Sequence, residues 1–390
     1  MNNSAIKPAQ RVDRIQEYYF SRKLKEVAAL NAAGNDIISL GIGGPDLPPD
    51  QSVIDTLCQA ANVASNHSYQ THIGLPELRA EFANWYKRNY NVDLNPDNEI
   101  LPLIGSKEGV LHVSLTFLNP GDGVLVPNPG YPTYSSVSKM IGAEIFNYDL
   151  TEENGWYPEF AKLEQLPLDR IKLMWVNYPH MPTGTPASIG LFDRLVNFGR
   201  KHNIVIVHDN PYSFILNKNP MSILSVKGAK DIVLEMNSLS KSHNMAGWRM
   251  GMVASNPTFI SWMLKVKSNI DSGQFKPTML AATQALKLGP DWYAKVNATY
   301  ASRRQAAEDI MTQLGCTFNP SQQGLFLWGR IPDTEPSSEA LADRLLYNAR
   351  VFLTPGFIFG SNGERYIRIS LCTPVERMQE ALQRIINSNA

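Results

Sequence analysis

The sequence predicts an α/β protein with a mostly parallel sheet, helices on both of its faces, and a smaller α+β unit beside it. Three observations carry this expectation. Short β-branched runs at Ile171 to Val176, Ile204 to Val207 and Ile232 to Met236 are apolar on both faces, as strands of a covered parallel sheet are. The segments between them read as helices, and that alternation builds parallel sheets. After about Pro257 a long helical stretch leads to two more strand-like runs, Gly324 to Gly329 and Tyr366 to Leu371, which suit a separate α+β unit.

The length agrees, since at roughly 150 residues per domain a chain of 390 residues asks for two or three domains. We expect residues 1–45 to form an N-terminal arm and loop packing with the small domain, 46–285 the large domain, and 286–390 the small C-terminal domain. The arm reads as a helix over Arg14 to Leu30, with Ile15, Tyr18, Leu24, Val27 and Leu30 at near-helical spacing and Gly34 as its stop. The glycine-rich stretch Gly41-Ile42-Gly43-Gly44-Pro45 follows as the loop.

Composition excludes several function classes. Lys plus Arg and Asp plus Glu both number 36, so no basic excess exists for nucleic acid or anionic lipid. With 43% hydrophobic and 18% charged residues the chain has ample material for a buried core. Cys58, Cys316 and Cys372 lie far apart without CxxC spacing, which fits a reducing cytoplasm. No signal-like apolar stretch opens the chain, and no run of about 18 apolar residues occurs; neither export nor a membrane span is expected. His67 and His72, like His202 and His208, miss the i,i+4 spacing of a helical metal pair, so no metal site is expected.

In covered parallel sheets, ligands bind beyond the carboxyl ends of the strands. Ser238-Leu239-Ser240-Lys241 follows the third strand, and Arg249 comes soon after it. A lone lysine is ordinarily a solvated surface residue. Flanked by hydroxyls and followed by an arginine, it suggests an amine able to form a Schiff base beside a site for a phosphate dianion. Asp209 ends the second strand, with Tyr212 just beyond it in His-Asp-Asn-Pro-Tyr. An acid there can pair with a pyridinium nitrogen and keep the ring protonated, or simply cap the turn before Pro211. Gly105-Ser106-Lys107 follows the apolar run Ile100 to Ile104 and opens a helix over Glu108 to Phe117. Helix starts of this kind bind phosphate, though many carry Gly-Ser with no ligand. Pro127 to Tyr134 and Tyr178-Pro179-His180-Met181-Pro182-Thr183-Gly184 are proline-rich loops placed directly after apolar runs.

Taken together and in this order, these motifs resemble the fold-type I pyridoxal-phosphate enzymes of the class I/II aminotransferases, from about Arg14 to the C-terminus. In detail they are nearest to aspartate and LL-diaminopimelate aminotransferase-like members. The resemblance implies pyridoxal 5'-phosphate as cofactor, with Lys241 as its covalent partner and the acid and base of the proton shift. It makes Asp209 the partner of the pyridine nitrogen, Tyr212 the donor to the ring phenolate and Tyr131 the aromatic ring on the cofactor face. Gly105, Ser106, Lys107, Ser238, Ser240 and Arg249 match the phosphate cup. Arg368, in Tyr-Ile-Arg-Ile-Ser, matches the arginine for the substrate α-carboxylate, for which a planar fork suits better than lysine; otherwise it is an exposed strand arginine. Ile42 and Gly43 match a loop that closes over the substrate.

Tyr69 matches a tyrosine lent to the neighbouring subunit's phosphate, which implies a homodimer with active sites at the subunit interface. Ser268 to Phe275 resembles a related interface segment. One departure stands out: Met181 occupies the place of the asparagine before Pro-Thr-Gly that gives the phenolate a second donor. Asn177 or a water is the available substitute. Lys107 is expected to point its side chain toward the substrate pocket, where it can meet a distal carboxylate; its other readings are a pair with Glu108 or a place in water.

The activity implied is ping-pong transfer of an amino group from an L-amino acid to a 2-oxo acid, with 2-oxoglutarate as acceptor. The alternatives are β-elimination of a C–S bond or decarboxylation on the same scaffold. A transcription regulator with an aminotransferase-like sensor is disfavoured, because the match starts near Arg14 and the balanced charge offers no basic face.

Overall fold

The structure is a computed structural model that describes residues 6–13 and 19–388. Its strands in chain order are β1 (Ile38–Ser39), β2 (Ile100–Leu103), β3 (Gly123–Asn128), β4 (Glu144–Asp149), β5 (Ile171–Val176), β6 (Val205–Asp209) and β7 (Val233–Ser238). β8 (Gly251–Ala254), β9 (Thr317–Phe318), β10 (Phe326–Arg330), β11 (Val351–Phe352), β12 (Thr354–Pro355) and β13 (Tyr366–Ser370) complete the set among the described residues.

Seven strands form one sheet in the order β2-β8-β7-β6-β5-β3-β4. β4, β3, β5, β6 and β7 run parallel, while β8 is antiparallel to both β7 and β2. The apolar runs on both faces follow from this burial. Along β5, Leu173 and Trp175 enter one core, while Met174 and Val176 enter the other. That is the two-residue alternation of a pleated strand covered on both sides. Helices Ser106–Phe117, Pro132–Ile141 and Pro257–Lys267 cover the first face; Pro76–Tyr90 and Ile189–His202 cover the second. Burying each large aliphatic side chain contributes about 1.5 to 3 kcal/mol, so this double cover anchors the strand ends that carry the site.

A second core surrounds the antiparallel sheet β12-β13-β10-β9. Leu325, Leu327, Ile367 and Ile369 meet Ile310 and Met311 of helix Pro290–Gln313, and Met378 and Ile385 of helix Val375–Asn387. Ile38 and Leu40 join the same core, and β1 pairs in parallel with β11. The described part of the N-terminal helix is Tyr19–Ala32, and Ile15 and Tyr18 lie outside the described residues. Gly34 follows it at φ +86°, a conformation that glycine adopts without a Cβ penalty.

The structure corrects two local expectations. No α-helix joins β6 to β7; the connection holds the short 3₁₀ turns Ile223–Ser225 and Ala229–Asp231. Pro211, Pro220 and Gly228 at φ +73° break helical continuation. The buried carboxylate of Glu235 pins the segment instead, accepting from Ser222 Oγ at 2.8 Å and Ile223 N at 2.9 Å. The expected helix at Glu108 begins earlier, at Ser106, with Gly105 as its N-cap at φ +79°. Among the described residues no helix is long and apolar enough to cross a membrane.

Candidate active site

β6 ends on Asp209 and β7 ends on Ser238, which caps the short helix Leu239–Ser242 by accepting from Ser240 N. These two adjacent strand ends bring carboxylate, hydroxyls and lysine to one side of the sheet. They open onto a cavity of about 420 Å³. Ile42, Gly43, Ser106, Lys107, Tyr131, Asp209, Tyr212, Ser238, Ser240, Lys241, Arg249 and Arg368 all line it. Gly105 lies behind Arg249, and Tyr69 is apart from the cavity with 91% of its surface exposed.

Asp209 is buried. Its Oδ2 accepts from Tyr134 Oη at 2.9 Å, while Oδ1 has no partner among the described residues. Burial pushes the carboxyl up to about 6, against the hydrogen bond from Tyr134 and the charges of His208 and Lys241. Tyr134 is fixed in turn by stacking on Trp175, with ring centroids 4.8 Å apart and planes 5° from parallel. Sequence reading assigned no role to Tyr134. Its position three residues after Tyr131 in helix Pro132–Ile141 was the available signal, because i and i+3 share a helix face.

Lys241 Nζ donates to Gly43 O at 2.5 Å. Burial lowers the amine's pKa, and Arg368 and Arg249 push the same way while Cys372 and Asp209 oppose. A lowered pKa enlarges the neutral, nucleophilic fraction. Tyr212 is pushed up by burial and stands edge-on to Phe326, with centroids 5.8 Å apart.

The hydroxyls of Ser238 and Ser240 lie 2.9 Å apart beside Arg249, whose Nη1 donates to Ala246 O at 2.7 Å. A Cβ on Gly105 would stand 2.1 Å from Arg249 Nη2, so glycine is what admits the guanidinium beside the helix start. Glu108 accepts from Ile104 N and meets His112 Nε2 at 2.8 Å. Lys107 therefore does not pair with Glu108; it is exposed at the cavity wall, with no partner among the described residues.

Arg368 is buried rather than exposed on its strand. Nη2 donates to Gly41 O at 2.9 Å, and Nη1 reaches Met181 Sδ at 3.4 Å. Its guanidinium carbon lies 3.8 Å over the ring of Phe326, 4.7 Å from Phe359 and 5.6 Å from Phe20. Such cation–π faces orient a guanidinium without consuming its donors. Asn177 accepts from Met181 N at 2.7 Å and donates to Asp209 O at 2.5 Å, so its amide already serves two backbone groups. Phe20, Leu24, Tyr134, Phe326 and Phe359 are cavity residues that sequence reading did not single out.

Glu108, His112 and Asp271 bring ligand-type atoms within 4.8 Å of one another, a grouping the histidine spacings did not reveal. Lys267 Nζ already lies 2.5 Å from Asp271 Oδ2, and Gly273 N donates to Asp271 Oδ1 at 2.8 Å. The positive charge at this cluster is a buried ammonium.

The unpartnered, buried Asp209 oxygen fits a cationic ring nitrogen. The serine hydroxyls, the Arg249 guanidinium and the helix start fit a phosphate, and the Lys241 amine fits an aldehyde. This donor set matches pyridoxal 5'-phosphate group by group.

Comparison with known proteins agrees. Residues 35–385 match the family model of aminotransferase class I and II. An LL-diaminopimelate aminotransferase from Dehalococcoides mccartyi is 40% identical over 382 residues, covering 97% of this chain and 98% of the relative. One from Nitratidesulfovibrio vulgaris is 39% identical, covering 98% of this chain and 99% of the relative. The substrate-bound BacF structure from Bacillus subtilis superposes with a TM-score of 0.94 at 35% identity, covering 99% of this chain and 98% of that one. A probable N-succinyldiaminopimelate aminotransferase from Thermus thermophilus gives a TM-score of 0.87 at 31% identity, covering 95% and 99%. The site at the strand ends and these full-length likenesses lead to one conclusion: the chain belongs to the class I and II aminotransferases, transaminases of fold type I that use pyridoxal 5'-phosphate.

Proposed function

We propose that the protein moves the amino group of an L-amino acid to a 2-oxo acid by a ping-pong mechanism, with 2-oxoglutarate as acceptor. One observation carries the reading: a single cavity collects a lysine of lowered pKa, a buried carboxylate with a free oxygen, and a buried guanidinium. The bound cofactor supplies an electron sink for the bond broken at the substrate's α-carbon. Lys241 Nζ would be the amine that holds the cofactor through its aldehyde, and the same amine would carry the proton to and from that α-carbon. Asp209 Oδ1 holds the charge on the pyridine nitrogen, while Tyr134 keeps the other carboxylate oxygen occupied. Tyr212 would donate to the ring oxygen and Tyr131 would pack on the ring face. Ser106, Ser238, Ser240, Arg249 and the backbone N–H groups at Gly105 and Lys107 hold the phosphate. Arg368 takes the substrate carboxylate, beneath Ile42 and Gly43.

The exposure of Tyr69, together with half-exposed Ile270 and Phe275, supports a homodimer in which Tyr69 completes the neighbour's phosphate site. The three unpaired cysteines support a cytoplasmic setting. The second core, with its contributions from Ile38 and Leu40, supports the division into residues 1–45, 46–285 and 286–390. The LL-diaminopimelate aminotransferase names of the relatives support a substrate with a charged distal end, and Lys107, one of the cations lining the cavity, would meet a distal carboxylate.

The test is the half-reaction of the purified, cofactor-loaded protein with each common L-amino acid and with LL-diaminopimelate, followed by loss of the cofactor's visible band. Conversion by at least one donor, and its reversal by 2-oxoglutarate, is expected. A cofactor that no donor converts would overturn the reading.

A further inference from the structure

Helix Pro290–Gln313 touches three segments that carry the site, in order along its length. Near its start, Trp292 Nε1 donates to Ser242 O at 2.9 Å, one residue beyond Lys241. Asn297 then accepts from Leu216 N at 2.7 Å and donates to Phe214 O at 2.9 Å, on the segment that follows Tyr212. Farther on, Arg303 grips both carboxylate oxygens of Asp46, at 2.6 and 2.8 Å, and donates to Leu371 O at 3.1 Å. From Trp292 to Arg303 a helix rises roughly 16 Å. The helix therefore acts as a strut between the lysine and the far wall of the cavity.

Asp46 follows the loop that begins at Gly41, whose glycines at 41, 43 and 44 supply little stiffness of their own. Order has to come from the ties at its ends. At one end Leu40 N donates to Phe352 O at 2.8 Å, and Leu40 O accepts from Ser370 N at 2.7 Å. Gly41 O accepts from Thr354 Oγ1 at 3.0 Å and from Arg368 Nη2 at 2.9 Å. At the other end stands the Asp46 carboxylate. These partners, Arg303, Phe352, Thr354, Arg368 and Ser370, all come from helix Pro290–Gln313 and strands β11, β12 and β13, while Gly43 O reaches across to Lys241 Nζ.

We propose that Arg303 is a positioning residue for the transamination: its two-pronged grip on Asp46 holds Ile42 and Gly43 over Lys241 and makes that loop move as one piece with Arg368. The proposal rests on the roles given to Lys241 and Arg368 above. The Arg303 side chain is 4% exposed and that of Asp46 30%, so the guanidinium is fixed by packing and the carboxylate is what it fixes. A planar fork holds the two oxygens through two parallel N–H bonds from separate nitrogens, which fixes the carboxylate's orientation more tightly than the single nitrogen of an ammonium does. Without Asp46 the loop is tied to this unit only at its Leu40–Gly41 end, apart from the Gly43 O contact to Lys241, and the two residues that cover the substrate lose their register.

The test compares Asp46→Ala, Asp46→Asn and Arg303→Lys with wild type, all cofactor-loaded. Hydrogen exchange of a peptide spanning residues 40–46 is expected to quicken about tenfold in Asp46→Ala and Arg303→Lys. The apparent KM for L-glutamate in the half-reaction is expected to rise about tenfold, with kcat and the cofactor's absorbance changed less than about twofold. Asp46→Asn, which keeps the shape and a neutral hydrogen bond, is expected to fall between wild type and Asp46→Ala. Unchanged exchange with unchanged KM, or a fall in melting temperature alone, would overturn the proposal. If wild type leaves L-glutamate and every other amino acid unreacted, the functional reading fails, and the exchange result alone judges the tether.

Discussion

The two walls of the cavity are built differently. On the sheet side, Asp209 and Ser238 are strand residues held by backbone ladders: β6 lies between β5 and β7, with Asp209 opposite Met236. On the other side, Gly41 to Asp46 has no strand partner of its own beyond β1, and Arg368 is aimed by a carbonyl, a thioether and three aromatic faces. Ladder hydrogen bonds and a doubly covered core fix the first wall to a single geometry. On the second, Arg368 also stands in a paired strand, β13 between β10 and β12, but the loop from Gly41 to Asp46 is fixed by a few separate contacts. Chemistry that needs an exact relation of amine, ring nitrogen and phosphate sits on the rigid wall, and recognition that must admit and release substrate sits on the adjustable one.

That contrast can be broken most sharply at Lys241. Lys241→Ala is expected to retain the cofactor, because the phosphate cup is intact, and to lose about 10² to 10⁴ in half-reaction rate or more, the range for a positioned acid or base. Single-turnover kinetics with the retained cofactor check this, and near wild-type turnover would remove Lys241 from the chemistry.

Asp209 tests the same wall through stability. Its folded pKa of about 6 lies above the ordinary 3.8, so between those values the folded chain keeps a proton that the unfolded chain has released. Stability present below pH 4 is therefore lost as pH rises through 6, by an amount on the order of 3 kcal/mol. Cofactor-free wild type is expected to lose that stability relative to Asp209→Asn in urea melts between pH 4 and 8. Parallel pH profiles for the two proteins would show that burial places no strain on this carboxylate.

Lys107, in the first turn of helix Ser106–Phe117, asks whether the rigid wall also takes part in recognition. Lys107→Ala is expected to cost dicarboxylic donors such as aspartate and glutamate about 1.5 to 3 kcal/mol in kcat/KM, the range for a hydrogen bond to a charged group. Methionine and leucine should lose far less. Equal losses for all four would assign Lys107 to the cofactor or to structure.

The smallest effect is expected at Met181, where the two walls meet. Its thioether offers the ring oxygen no N–H donor, and the amide of Asn177 is already engaged by backbone. Met181→Asn is expected to lower the pH midpoint of the cofactor's visible band, since a restored donor favours the charged phenolate. A midpoint that stays put or rises would show that the thioether position does not govern the ring's electronics.

The rigid wall was the more legible of the two in sequence. A β-branched run marks a strand, and a polar residue at its carboxyl end marks a ligand site. Asp209, Ser238 and Lys241 could therefore be named before any fold was known. Asp209 ends its strand as expected, while Ser238 is the last strand residue rather than the first loop residue, because pairing with β8 extends the ladder that far. Tyr134 was hidden among the aromatics of its loop, since nothing local distinguishes a tyrosine that stacks on Trp175 from one that fills a core. The segment between β6 and β7 follows the strand–helix alternation only in outline, because Pro211, Pro220 and Gly228 do not let a helix run through it.

Local pattern by itself determined the strands, the glycine at the start of helix Ser106–Phe117 and the order of the chemical groups along the chain, because strand burial and helix starts are short-range properties. The tertiary structure alone decided which distant residues meet. Arg303 finds Asp46 across 257 positions and Arg368 finds Gly41 across 327. Phe20 and Phe359 face the same guanidinium from opposite ends of the chain. Those contacts are set by how two cores pack around one helix, and packing is a property of volumes and surfaces that no sequence window contains.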